Sequence, residues 1–532
     1  MRVRGTLVRQ AAGAVFGAFL SVAAAPICAQ VKEAPPAPRF EIRRFIVEGN
    51  TLLPEDTVER LLAPYTGPGR DFGSVQQALE ALQGEYLERG YNAVRVLIPE
   101  QELREGEVRL RVIEARVRRV IVEGNRFFDE ANVRASAPSL RVGESPNSAE
   151  IGRNMQLVNE NPAKNVGVRL QAVAEEPARV DAVLRVTDHA PVRWMLSADD
   201  TGNPQTGRYR VGVGYLHANV GGRDHVLNAQ FITSPGHTDD VKIFGFGYRI
   251  PFYRWNSALE LVLGYSDVDS GTVADLFTVS GSGTVLSARW GWILPRWGAY
   301  EQKLAASLDW RDLHQNVQFL GGGGGLVPDI RLKPLSLTYL GRYPGEGYEA
   351  SFYASLVQNL PGGKDGGQDT FDALRAGARA SYRILRYGAQ AIAARGGFLL
   401  QAALSGQYTR DLLVPAEQFG MGGAASVRGF FERELATDIG HRASFELHFP
   451  DLGARIGEGW RARPIAFVDF ARGRDHVPVR TEEQGLSSFG VGLRMGHGRD
   501  FAFRLDAARV QNDAGSRRRG DARLHFALIY AF

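Results

Sequence analysis

The chain closes on RLHFALIYAF, Arg523 to Phe532. Leu524, Phe526, Leu528, Tyr530 and Phe532 alternate with Arg523, His525, Ala527, Ile529 and Ala531. Successive side chains of a strand point to opposite faces, so a period of two marks a strand. One face here is apolar from end to end and finishes on an aromatic residue. Such a face must lie against something other than water, and the preceding sequence decides what that is.

Reading backward to residue 190, the same alternation recurs. In RYRVGVGYL, Tyr209, Val211, Val213 and Tyr215 oppose Arg210, Gly212 and Gly214. In FGFGYRI, Phe244, Phe246, Tyr248 and Ile250 oppose Gly245, Gly247 and Arg249; in LELVLGYS, Leu259, Leu261, Leu263 and Tyr265 oppose Glu260, Gly264 and Ser266. Strands of about ten residues with one apolar face suit a transmembrane barrel, and residues 190–532 allow roughly 21 residues for each of sixteen strands with its connection. Lipid demands an apolar exterior and a closed sheet without free edges. A soluble sandwich also alternates, but it gives no reason for repeated aromatics near strand ends. The expected fold of 190–532 is a 16-stranded antiparallel transmembrane β-barrel.

The first third of the chain has a different rhythm. RRFIVEGN (Arg43–Asn50) and RRVIVEGN (Arg118–Asn125) agree in seven of eight letters. A match at a fixed period signals a duplicated unit. In the first copy FEIRRFIVEGN reads as a strand and LPEDTVERLLAP as a short helix. A second helix begins near Ser74, a suitable N-cap. Val75, Leu79, Leu82 and Tyr86 form its apolar stripe. AVRVLIP and EVRLRVIE close the unit as strands. The second copy repeats the order, with Ile151, Met155 and Val158 on its longer helix. Two α+β units of order β-α-α-β-β are expected, 40–115 and 116–189.

Ahead of them, Arg2, Arg4 and Arg9 precede an uncharged, small-residue stretch ending in ICAQ. That is the pattern of a secretory signal peptide, 1–29, cleaved after Ala29, with a membrane anchor as the alternative. The one cysteine, Cys28, would leave with it. Residues 30–39 then form a short proline-containing segment. No internal run reaches the 18 or so apolar residues of a spanning helix. A net charge of +4 with scattered Lys and Arg leaves no footprint for nucleic acid. There is no G-x-S-x-G, H-E-x-x-H or G-x-x-x-x-G-K-[ST] motif, so no enzyme, metal or cofactor is expected.

Two stretches inside the barrel region stand out. FGMGGAASVRGFFERELATDIGHRASFEL (Phe419–Leu447) carries Val427-Arg428-Gly429-Phe430 in a glycine-rich loop spanning 409–440. In IAFVDF, alternation turns Phe467 and Asp469 inward and Ala466, Val468 and Phe470 outward. An arginine brought into a pore has few partners, and a carboxylate accepts its planar fork through two bonds. Gly429 permits a tight turn, and Phe430 can pack against the wall.

The repeat resembles POTRA domains, the periplasmic modules that precede outer-membrane barrels, with a generic α+β pair as the plain alternative. GYNAVRVLIPEQELREGEVRLRVIEARV looks like the first POTRA of two-partner secretion transporters, and the VRGF loop resembles that of the outer-membrane assembly and secretion superfamily. The resemblance implies a loop folded into the barrel before its twelfth strand, with Arg428 paired to Asp469 on the thirteenth. It implies that Phe526, Leu528, Tyr530 and Phe532 form a C-terminal signal read by the barrel-assembly machinery. It further implies an outer-membrane pore that exports a partner exoprotein bearing an N-terminal secretion domain, embedded in outer-membrane lipid, with its POTRA domains in the periplasm. The other reading of the same motifs is a factor that assembles other barrels. Residues 30–39 depart from the family in being too short for a plug helix, which would leave the inward loop as the occluder.

Overall fold

The computed structural model describes residues 38–102, 105–202, 206–267, 271–273, 277–279, 282–314, 328–476 and 483–532. The expected signal peptide and residues 30–37 lie outside the described residues.

The twice-used Glu-Gly-Asn has one structural cause. Gly49 and Gly124 sit at φ +83° and +85°, and a Cβ on either would lie 2.5 Å from a backbone oxygen, of Val112 and Val186 respectively. Only glycine tolerates both the left-handed backbone and that approach. The asparagines then brace the turn: Asn50 and Asn125 donate to the carbonyls of Leu53 and Phe128. A carboxylate at the end of the central strand receives the following N–H groups. Glu114 takes those of Thr51 and Leu52, and Asp188 those of Arg126, Phe127 and Phe128.

Each unit is a three-stranded sheet under two helices. In the first, the central strand Glu107–Glu114 is parallel to Arg44–Glu48 and antiparallel to Val94–Leu97. Val108, Leu110 and Val112 turn inward and are at most 5% exposed. Val75, Ala78, Leu82 and Tyr86 of helix Phe72–Glu88 are also buried, and Leu79 packs partly buried at the edge of that core. In the second unit, Glu176–Asp188 lies between Arg116–Glu123 (parallel) and Lys164–Val173 (antiparallel), with helices Glu130–Ala135 and Ser148–Val158. Ile151 and Val158 are buried, while Met155 is half-buried beside the same core.

Two local expectations are corrected. FEIRRFIVEGN is not one strand: Phe40–Ile42 pairs with Gly67–Arg70, and Arg44–Glu48 joins the main sheet. Arg43 and Arg44 are both exposed, and adjacent residues of a flat pleat cannot share a face, so the chain bends between them. The second helix is capped by Asp71, whose carboxylate accepts the Ser74 N–H at 2.8 Å. A charged acceptor three residues earlier serves the helix N-terminus better than the Ser74 hydroxyl.

From Val192 onward sixteen antiparallel strands close on themselves, the last (Ala522–Ala531) pairing with the first (Val192–Asp199). The eighth is interrupted at Lys333 into Ile330–Leu332 and Pro334–Gly345. Outward positions carry the large apolar residues, among them Trp194, Phe244, Phe246, Leu261, Leu308, Leu356, Phe445 and Val491. So extensive an exposed apolar surface is the pattern of a transmembrane barrel. Aromatics gather near one rim, where Phe252 stacks between Trp255 and Trp290. That is the placement expected of an interfacial girdle. Among the described residues no helix is long and apolar enough to cross a membrane.

Two-residue turns such as 346–347 and 396–397 lie at the end where the α/β units enter. The second unit is fastened to the near rim. Lys164, with a fully buried side chain, meets Asp224 of the turn between Arg210–Val220 and His225–Thr233 at 2.6 Å.

Candidate functional site

The connection between strand 11 (Phe398–Thr409) and strand 12 (Ile439–His448) turns back into the barrel. Phe419–Met421 and Leu435–Thr437 pair as its stem, leaving residues 422–434 as a tip inside the lumen. Gly429 at the tip has φ +96°, and a Cβ there would press on Val510 and Ala508 at 3.3 and 3.4 Å. Phe430 is fully buried against Met421, Val427, Ala471, Leu486 and Val510. Burying a phenylalanine stabilises by about 1.5–3 kcal/mol, so this side chain is an apolar anchor for the tip.

Arg428 is 4% exposed and Asp469, on strand 13 (Trp460–Arg474), is fully buried. The guanidinium engages both carboxylate oxygens, Nε to Oδ2 and Nη2 to Oδ1, each at 2.7 Å, and the Arg428 backbone N–H adds a third bond at 3.1 Å. Its plane lies over the Phe467 ring, with Cζ 3.4 Å from the centroid. Phe467 has room because Gly490 faces it, where a Cβ would stand 2.4 Å from the ring. The structure thus brings Arg428, Gly429, Phe430, Phe467 and Asp469 into one assembly.

Four partners of this assembly escaped the sequence reading. Glu446 accepts Arg428 Nη1 at 2.6 Å, and Ser444 donates to Asp469 Oδ1 at 2.6 Å. Asp506 is 3.6 Å from Arg428 Nη1 and is itself held by Arg494 at 2.7 Å. The guanidinium therefore sits in a ring of carboxylates with a second arginine balancing the charge. Charged, bidentate bonds are the strong ones, and their strength grows away from water. Parity was the available signal: Ser444, Glu446, Arg494 and Asp506 all occupy inward positions of strands whose outward positions are apolar.

SRRRG (Ser516–Gly520), in the connection before the last strand, engages the inward loop. Ser516 donates to Glu434, and Arg517 Nε donates to the Gly429 carbonyl at 3.1 Å. Of the C-terminal residues, Leu524, Tyr530 and Phe532 are exposed on the outer face while Phe526 and Leu528 are half-buried. Phe532 exchanges two backbone bonds of 2.9 Å with Trp194 and so completes the closing seam.

Residues 40–115 match the family model "POTRA domain, ShlB-type", and residues 180–322 and 335–495 match "Haemolysin secretion/activation protein ShlB/FhaC/HecB". The outer membrane transporter CdiB of Dickeya dadantii is 24% identical over 235 residues, 43% of this chain and 39% of that protein. The heme/hemopexin transporter protein HuxB of Haemophilus influenzae is 19% identical over 507 residues, 92% of this chain and 86% of its own length. The structure of CdiB from Escherichia coli superposes with a TM-score of 0.77 at 18% identity, covering 95% of this chain and 93% of that one. With the inward loop, the closed sixteen-stranded barrel and the matched models together, the chain belongs to the haemolysin secretion/activation family ShlB/FhaC/HecB, the outer-membrane transporters of two-partner secretion.

Proposed function

We propose that this transporter holds its pore shut through the Arg428–Asp469 pair and takes up its exoprotein along the outer edge of the second α/β unit. The observation that carries the first part is the three-bond grip of Asp469 on Arg428 inside a lumen otherwise open to water. The loop tip is the occluder; releasing it opens the path. Arg428→Ala removes the grip and leaves three carboxylates facing one another. We expect secretion to be abolished or sharply reduced while the barrel remains assembled and surface-exposed. Wild-type secretion by that variant overturns the assignment.

Capture rests on an edge comparison. In the first unit, Gln83 occupies the free edge of Val94–Leu97, bonding the Val94 carbonyl and the Val96 N–H. In the second, Asn159 does the same only at Val166, and the strand runs on to Val173. An unpaired edge of that length suits addition of an extended segment as a further strand. Asn159 and Asn165 also line a cavity of about 880 Å³ shared with Arg296, Lys303, Arg342 and Arg442 of the barrel. An added strand would thus end at the entrance to the lumen. Proline at Arg169 and, separately, at Leu170 tests this, since neighbouring residues present their N–H groups on alternate sides. One of the two is expected to block export without loss of barrel assembly; unimpaired export by both refutes the edge.

The same reading makes 40–115 and 116–189 two POTRA domains, the C-terminal strand a substrate of the barrel-assembly machinery, and the outer face a lipid contact. The work done is transport, with no chemical step in the lumen.

A further inference from the structure

The outward wall of the barrel carries a groove of about 900 Å³ near the rim away from the α/β units. It spans four neighbouring strands: the eighth, Tyr348–Asn359, Arg383–Arg395 and Phe398–Thr409. Leu335, Leu337, Leu356, Leu385 and Tyr408 line it. Alternation turns these five outward, and all but Leu385 are 45% to 63% exposed. Four adjacent strands extend over about 14 Å, a broad apolar bed.

Three arginines border the bed on its rim side: Arg379, Arg383 and Arg410, all exposed. Arg383 and Arg410 lie two residues beyond Leu385 and Tyr408 on the same strand faces, about 7 Å nearer the rim. Ile384 pairs with Thr409, and one step further out the same register sets Arg383 opposite Arg410. Like charges directly opposite on neighbouring strands destabilise a sheet, and an anion between them offsets that cost. The chain itself offers little. Asp411 is the one carboxylate among the described lining residues; it accepts the Arg383 N–H at 2.8 Å and a bond from Arg379 Nη1 at 3.2 Å. Arg383 Nε donates to the neutral Gln358 at 2.6 Å, and the Arg410 side chain has no partner among the described residues. Three cations against one carboxylate leave an excess of positive charge.

We propose that this groove is a binding site for a phosphorylated, multiply acylated glycolipid of the outer leaflet, of the lipid A class. Its acyl chains lie on the leucines and Tyr408, and a sugar phosphate bridges Arg383 and Arg410. Charge and level both fit: the guanidinium fork suits phosphate, and the arginines stand at headgroup height above the apolar bed. The width of four strands suits several chains abreast better than the two of a phospholipid.

The test titrates the full-length transporter in detergent micelles with purified lipid A, phosphatidylglycerol and dephosphorylated lipid A, reading bound lipid by native mass spectrometry. Wild type is expected to hold lipid A at least tenfold more tightly than either of the other two. Arg383→Gln with Arg410→Gln is expected to weaken lipid A binding about twentyfold and to leave phosphatidylglycerol binding unchanged. The proposal is overturned if the double variant binds lipid A as wild type does. Equal binding of phosphatidylglycerol would make the arginines a general anionic patch, and equal binding of the dephosphorylated lipid would leave only an apolar wall; either result also overturns it. Should the double variant fail to assemble, Arg410→Gln alone carries the test: about a fivefold loss is expected, and no loss refutes the site.

Discussion

At the scale of single residues, the proposed lumen lock depends on the shape of one side chain as much as on its charge. Arg428 spends Nε and Nη2 on Asp469 and Nη1 on Glu446, and lays its plane on Phe467. A lysine carries the same charge as a point and cannot reproduce the fork or the stacking. Arg428→Lys is therefore expected to fall closer to alanine than to wild type in secretion, with a loss of about 2–4 kcal/mol in holding the loop. Protease accessibility of residues 422–434 in intact cells measures that loss; wild-type protection would show that charge alone suffices. The pair itself was legible from two short motifs and the parity of one strand together with the family resemblance that joins them. Glu446 and Asp506 were not, because a carboxylate on the wet face of a barrel strand has nothing local to distinguish it from its neighbours.

Among the elements, the barrel strands were easier to read than the α/β strands. Lipid outside and water inside impose one rule on every strand, so alternation alone fixed which side chains face out. The small sheets obey several rules at once. The two Arg-Arg pairs make the point: Arg43-Arg44 breaks the first strand in two, while Arg118-Arg119 is absorbed as a bulge on the second. The difference lies 63 and 62 residues away, in Asp181, which accepts Arg118 at 2.7 and 2.8 Å and Arg119 at 3.0 Å. No local pattern announces such a partner. The Arg118 hydrogen bond, opposed by burial and helped by Arg119, pulls the Asp181 carboxyl down to about 2. A carboxyl lowered on folding stabilises above its unfolded value, near 3.8, and that contribution disappears as pH falls through about 2. Asp181→Asn is thus expected to lower the hydrogen-exchange protection of residues 116–188 at neutral pH. The gap to wild type should close between pH 4 and 2. A gap that persists unchanged at the acid end would assign the effect to packing instead.

For the whole molecule, the proposed capture route has a segment held by the α/β units delivered to the lumen, so on that route the joint between the two must be defined. It joins buried polar contacts to a small apolar one, in which Leu157 packs with Ala258 and Ile293. Lys164 meets Asp224 at 2.6 Å and Asn132 at 2.7 Å and lies over the Phe128 ring; Tyr253 donates to the same Asp224 at 2.6 Å. Glu160 faces Arg249 and Lys303 of the lumen wall, and Asn154 reaches Asn256 at 2.8 Å. Removing one member of a buried ion pair strands the other, at about 3–5 kcal/mol, whereas replacing both with well-fitting neutral groups is often nearly neutral. Asp224→Ala should therefore detach the second unit from the rim, seen as faster exchange at both Lys164–Val166 and the 221–224 turn, with secretion falling in step. Lys164→Met with Asp224→Asn keeps volume and an acceptor for Tyr253, and is expected to restore both protection and secretion toward wild type. If the double variant protects the joint yet still fails to secrete, the lysine has a task in export beyond fastening. If Asp224→Ala frees the joint and secretion continues, a captured segment does not need a fixed hand-over point.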